Sequence, residues 1–196
     1  YKHVLHIPWD QDVVPRMRID ARLPEVLSLS EVETLIATAS HIRNKAIIAL
    51  LYSSGLRVGE LVKLRAGDIY MSRMQVYVPQ SKNHRDHWTI LSNRALELLK
   101  EYWRSYPVKR DYLFVSLDEP HEPLKVSGVE IMLRAVGKDA GLSVHPHTLR
   151  HSFASHMIEK GVPINYVQSM LGHRCLESTQ VYIHISNKTV MGIKSP

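Results

Sequence analysis

A chain of 196 residues, 44% of them hydrophobic, is long enough for one well-packed domain or one domain with an extension. Lysines and arginines number 25 against 19 acidic residues, giving a net charge of +6 and a pI near 9.4, which favours an anionic partner. No apolar run is long enough to span a membrane and the single cysteine, Cys175, rules out an internal disulfide, so a cytoplasmic protein with no membrane partner is expected.

Residues 1–24 interleave Pro8, Pro15 and Pro24 with Arg16, Arg18, Arg22 and Asp10, Asp12, Asp20, the composition of a linker left by a preceding domain. A domain is therefore expected over 25–196. Ser30 and Glu33 have capping-box spacing and open a short helix through Val32, Leu35 and Ile36. The segment from His41 to Ser54, with its run AIIALLY, is apolar enough for a buried helix that Gly55 ends. GLRVGEL then reopens a helix with Val58, Leu61 and Val62 inward and Arg57 and Glu60 together on a different face. That pair reads equally as a surface ion pair worth little, or as an arginine projecting into a cleft while a glutamate orients it.

From Met74 the period changes to two. Gln75 to Val78 and His87 to Leu91 form a β-hairpin, with Lys82, His84 and Arg85 at its tip, either simply solvated or reaching for a phosphate. Ser92 caps a helix carrying Leu96, Leu99, Tyr102 and Trp103 on one side, and Tyr112 to Val115 is expected as a third strand. Ser127 and Glu130 repeat the capping-box spacing and start a helix that Gly141 ends. The fold class is mainly α with a small antiparallel sheet, α+β.

The stretch from His145 to Ile185 carries the most chemistry. Its first helix starts at Pro146, runs to Lys160 and stops at Gly161, with Leu149, Phe153 and Met157 inward. His147 and Arg150 share another face near the N-terminus, where the macrodipole favours an anion. A shorter helix from Pro163 ends at Gly172 and leaves His173 beyond the core; Ser178 caps a last helix bearing Tyr182. His147 and His151 have the spacing of a metal pair, but no glutamate base stands between them, and the acidic residues are too scattered for a magnesium nuclease. No metal or cofactor is expected. The helix, glycine turn and helix from Phe153 to Leu171 also suit a helix-turn-helix DNA reader, and Tyr182 alone reads as a packed aromatic.

The ordered set GLRVGEL, SKNHRD, HPHTLRHSFASHM, LGH and STQVYIHI resembles the catalytic domain of the tyrosine recombinases, the phage-integrase and Xer/Cre type, over about residues 25 to 186. The resemblance implies that Arg57, Lys82, His147, Arg150 and His173 surround a scissile phosphate, that Tyr182 is the nucleophile, and that Glu60 supports Arg57. It implies a site-specific recombinase forming a 3′-phosphotyrosine link on double-stranded DNA, with His84 and Arg85 as DNA contacts at the hairpin tip. A homotetramer on DNA is implied, and a monomer for the domain alone. A type IB topoisomerase is the nearest alternative in chemistry, and a non-catalytic helix-turn-helix regulator the alternative of another class.

Overall fold

Leu27 and Val32 decide where the first helix begins. The computed structural model describes residues 25–79, 86–106, 111–116 and 121–172, and in it α1 spans Leu29–Thr38, two residues earlier than the Ser30 expectation. Ser28 is the cap: its hydroxyl accepts from the Glu31 N–H, while the Glu31 carboxylate accepts from the Ser28 N–H at 2.7 Å. Both serines have the right spacing to a glutamate. Starting at Ser28 puts Leu27 just before the cap and Val32 four positions inside, both buried, the arrangement of a hydrophobic staple.

Helix α2, Ile42–Ser54, is the centre of the molecule. Ile47, Ile48, Leu50 and Leu51 are each 0–1% exposed although they point in different directions, as in a helix surrounded on all sides. Burying each such side chain contributes about 1.5–3 kcal/mol. Gly55 stops the helix in the left-handed region at φ +62°. After it come a one-turn helix, α3 (Val58–Leu61), and a 3₁₀ turn at Ala66–Asp68.

Among the described residues the sheet has three antiparallel strands in the order β1 (Ile69–Tyr70), β2 (Gln75–Val78) and β3 (His87–Ile90). Register pairs Val76 with Ile69 and Thr89, and Tyr77 with Trp88. Val76, Val78 and Thr89 face the core, while Tyr70, Tyr77 and Trp88 pack their rings together on the outer face. The third strand is thus Ile69–Tyr70 and not 112–115, which contributes only the bridge Val115 to Pro123. Leu113 and Phe114 are fully buried, so that stretch is apolar because it enters the core and not because it pairs along an edge.

Helix α4, Asn93–Ser105, is capped by Ser92 as expected and turns Leu96, Leu99 and Tyr102 inward; Trp103 is half-buried beside them. Helix α5, Val126–Asp139, starts after Lys125 with no side-chain cap. Ser127 lies inside it, and Glu130 faces Arg134 at 3.9 Å instead of closing a capping box. Helices α6, Pro146–Glu159, and α7, Ile164–Leu171, pack through Phe153, Ala154, Ile158, Val167 and Leu171. The molecule is therefore mainly helical with a small antiparallel sheet. Among the described residues no helix is long and apolar enough to cross a membrane.

Two side chains of α6 tie it to the segment before α1 and to α2. The Leu27 N–H donates to Ser152 Oγ at 2.8 Å, and buried His156 meets the Tyr52 hydroxyl through Nδ1 at 2.8 Å. Burial pushes His156 below the usual histidine pKa; the charge of Lys160 acts the same way and that of Glu159 opposes it. An unfolded histidine titrates near about 6.5, so below that pH the unfolded chain binds the proton the folded chain refuses. Stability is expected to fall as the pH drops through about 6.5 and to level off once the folded histidine also titrates. Denaturant midpoints between about pH 7.5 and about pH 5 should fall less steeply for His156→Gln; parallel slopes would exclude His156 as the cause.

Candidate active site

The site is built where the end of α2 turns back on itself. Gly55 reverses the chain, and Arg57 becomes the cap of α3, which brings Glu60 back over it. The Glu60 carboxylate accepts from the Arg57 backbone N–H at 2.8 Å through Oε2 and from the Arg57 guanidinium at 2.7 Å through Oε1. Glu60 is 6% exposed, which sets this pair apart from an ordinary surface ion pair. The Arg57 side chain retains 28% exposure.

Arg150 enters the same place from α6. Its Nη1 donates to the Gly55 carbonyl and its Nη2 to the Leu171 carbonyl, both at 2.7 Å, and its Nη1 lies 3.9 Å from Glu60 Oε2. Each carbonyl belongs to a helix end, where the macrodipole favours a cation. One carboxylate therefore sits between two arginines, with an oxygen toward each. Two guanidinium charges against one carboxylate leave a net positive centre, half-open at Arg57 and closed at Arg150, which is 3% exposed.

His147 is on the first turn of α6, as expected, and is exposed. It does not share an open face with Arg150, because Arg150 points inward between the ends of α2 and α7. Its ring lies 6.2 Å from that of His151. Burial lowers the His151 pKa, and the charges of His147 and Arg150 lower it further. Among the described residues no three histidine, cysteine or acidic side chains form a group able to hold a metal.

Lys82, His84, Arg85, His173 and Tyr182 lie outside the described residues, as do the linker at 1–24 and the helix expected after Ser178. The structure brings together Arg57, Glu60 and Arg150, with His147 at the start of the helix that supplies Arg150. The Gly55 and Leu171 carbonyls were not anticipated, since a backbone acceptor has no letter in the sequence; the signal was a glycine that ends each helix, Gly55 itself and Gly172 after Leu171. A second unanticipated tie joins β3 to the same helix end. Thr89 Oγ1 donates to the Ser54 carbonyl and Ser54 Oγ to the Ile90 carbonyl, both at 2.7 Å.

The chain belongs to the phage integrase family, whose model matches residues 25–189. It is 36% identical over 172 residues to tyrosine recombinase XerA of Pyrococcus horikoshii, a match covering 87% of this chain and 60% of that protein. The crystal structure of XerA recombinase superposes with a TM-score of 0.79 at 33% identity, over 87% of this chain and 64% of that one. A crystal structure of XerH site-specific recombinase bound to difH substrate, a pre-cleavage complex, matches with a TM-score of 0.71 at 25% identity, over 87% of this chain and 53% of that one. This chain spans about 60% of the length of the first curated relatives it matches.

Proposed function

We propose that this chain carries the catalytic domain of a site-specific DNA recombinase that cuts and rejoins double-stranded DNA through a 3′-phosphotyrosine intermediate. The observation that supports it most is the joining of Arg57 and Arg150 through the two oxygens of one buried carboxylate, in a family whose matched relatives are named recombinases. Residues 1–24 serve as the linker to a preceding DNA-binding domain, and 25–196 as the catalytic domain. The family match beginning at residue 25 supports that division.

The chemistry follows from the residue types. A tyrosine phenol has a pKa of about 10 and needs proton removal or a strong positive field to attack at neutral pH. The Tyr182 oxygen bonds to phosphorus as its proton passes to His147, and the bond from phosphorus to the 5′-oxygen breaks. Lys82 gives that oxygen a proton, leaving a free 5′-hydroxyl. Arg57 and Arg150, with His173 as a further donor, offset charge on the non-bridging oxygens as it builds in the transition state. The Gly55 and Leu171 carbonyls fix the plane of the Arg150 guanidinium. A 5′-hydroxyl of another duplex then reverses the steps and displaces the tyrosine. The phosphodiester energy is kept in the tyrosine ester, so neither ATP nor a metal ion is called for. His84 and Arg85 add DNA contacts at the hairpin tip, and the working form is a homotetramer on DNA in the cytoplasm, monomeric as an isolated domain.

A nicked suicide duplex carrying the recombination site tests the reading. The protein is expected to form a covalent adduct that survives denaturation, that Tyr182→Phe abolishes, and that chelator leaves unchanged. Duplex binding with no adduct from either protein would favour a DNA-binding regulator. Relaxation of supercoiled DNA without partner exchange would favour a topoisomerase.

A further inference from the structure

His87 opens β3 opposite Val78, half-buried, on the strand face that Thr89 also uses. Its imidazole lies directly on Gly172. A Cβ placed on that glycine would stand 2.8 Å from both Cε1 and Nδ1 of the ring and 3.2 Å from Cγ. Gly172 also closes α7 in the left-handed region at φ +61°, so backbone and neighbour each demand glycine there. Two residues along the strand, Thr89 is bonded to the end of α2. Strand β3 is thus held at two points, against the two helix ends whose carbonyls grip Arg150. In sequence, Lys82 comes five residues before His87, and His173 follows Gly172 directly.

We infer that His87 is a positioning residue for strand transfer: packed against the bare α-carbon of Gly172, it sets strand β3, which Lys82 precedes in sequence, against the end of α7, which His173 follows in sequence. This rests on the function proposed above and deepens it, because protonation of the leaving oxygen then depends on a side chain other than the acid itself. An ordinary packing role predicts something different, a loss of stability with equal slowing of every substrate.

The test uses the full chain and two suicide duplexes, one with the normal 5′-oxygen at the scissile phosphate and one with sulfur in its place. A thiolate departs without being protonated, so the sulfur duplex bypasses the acid. At saturating duplex, His87→Ala is expected to form adduct about tenfold more slowly on the oxygen duplex and within about twofold of the parent on the sulfur duplex, with duplex affinity unchanged. His87→Gln, which keeps a flat polar group over the glycine, is expected to retain at least about half the oxygen-duplex rate, and it supplies the reading should the alanine variant fold poorly. Equal losses on the two duplexes, or no loss on the oxygen duplex, overturn the inference and leave the proposed function standing. A parent protein that forms no Tyr182-dependent adduct on either duplex overturns both.

Discussion

Arg150→Lys is expected to slow covalent adduct formation by about a hundredfold or more and to destabilise the fold by about 1.5–3 kcal/mol, although it preserves the charge. The guanidinium spans two carbonyls, Gly55 at the end of α2 and Leu171 at the end of α7, with one 2.7 Å bond to each. An ammonium is a point donor and cannot hold both in a fixed plane. One charge-assisted bond is therefore lost in a site only 3% exposed, where water does not replace it. The remaining charge still offsets part of that of Glu60, which keeps the loss below that of Arg150→Ala. Chemical denaturation and the adduct rate at saturating duplex check the two halves separately. A lysine variant within tenfold of the parent rate would mean that charge alone, and not the fork, is what the reaction needs.

Gly55→Ala is expected to be worse for the fold than most surface or loop substitutions, at about 2–5 kcal/mol. The left-handed backbone accounts for about 1–2 kcal/mol of this. The rest is steric: a Cβ there would lie 2.4 Å from Phe153 Cδ1 and 2.9 Å from Leu171 Cδ2, and overpacking of this kind costs about 1–3 kcal/mol. Because the Gly55 carbonyl is an acceptor for Arg150, any shift that relieves the clash also displaces the arginine, and adduct formation should fall with stability. The double variant Gly55→Ala with Phe153→Leu separates the causes. It should recover much of the steric share and none of the backbone share, and a double variant no more stable than Gly55→Ala would count against the clash.

The parts of the fold legible in the sequence were those with a period or a stop. The run AIIALLY announced α2, the alternation around Val76 and Val78 announced the hairpin, and Gly55, Gly161 and Gly172 marked helix ends that all adopt positive φ. What failed was local and degenerate. Ser28 and Ser30 each stand three before a glutamate, and only the burial of Leu27 chose between them. A two-residue strand such as Ile69–Tyr70 is too short to show a period, while Tyr112 to Val115 shows strand composition for the sake of burial. In the site, that Arg57 and Glu60 meet was readable because the two are three residues apart, but whether they form a surface pair or a buried support was not, since burial of Glu60 depends on the packing around α3. The approach of Glu60 to Arg150 was not readable either, since that contact exists only once α6 has packed against the end of α2. The roles given to Lys82, His173 and Tyr182 came from family motifs and not from periodicity.

The bond from Leu27 to Ser152 links residues 125 positions apart, and that from Arg150 to Gly55 links residues 95 apart. Contacts of such span form only after a large loop has closed, so the loop-closure entropy is lost before the contact repays it. They also set an order in time during synthesis. Helices α1 to α5 can leave the ribosome and begin to pack, yet the Gly55 and Glu60 oxygens have no Arg150 to receive until α6 follows, and Arg150 lacks its second acceptor until Leu171 has been added. A nascent chain halted anywhere before α7 therefore has only one of the two carbonyls that hold its Arg150 guanidinium, and the charge centre at the end of α2 is completed last.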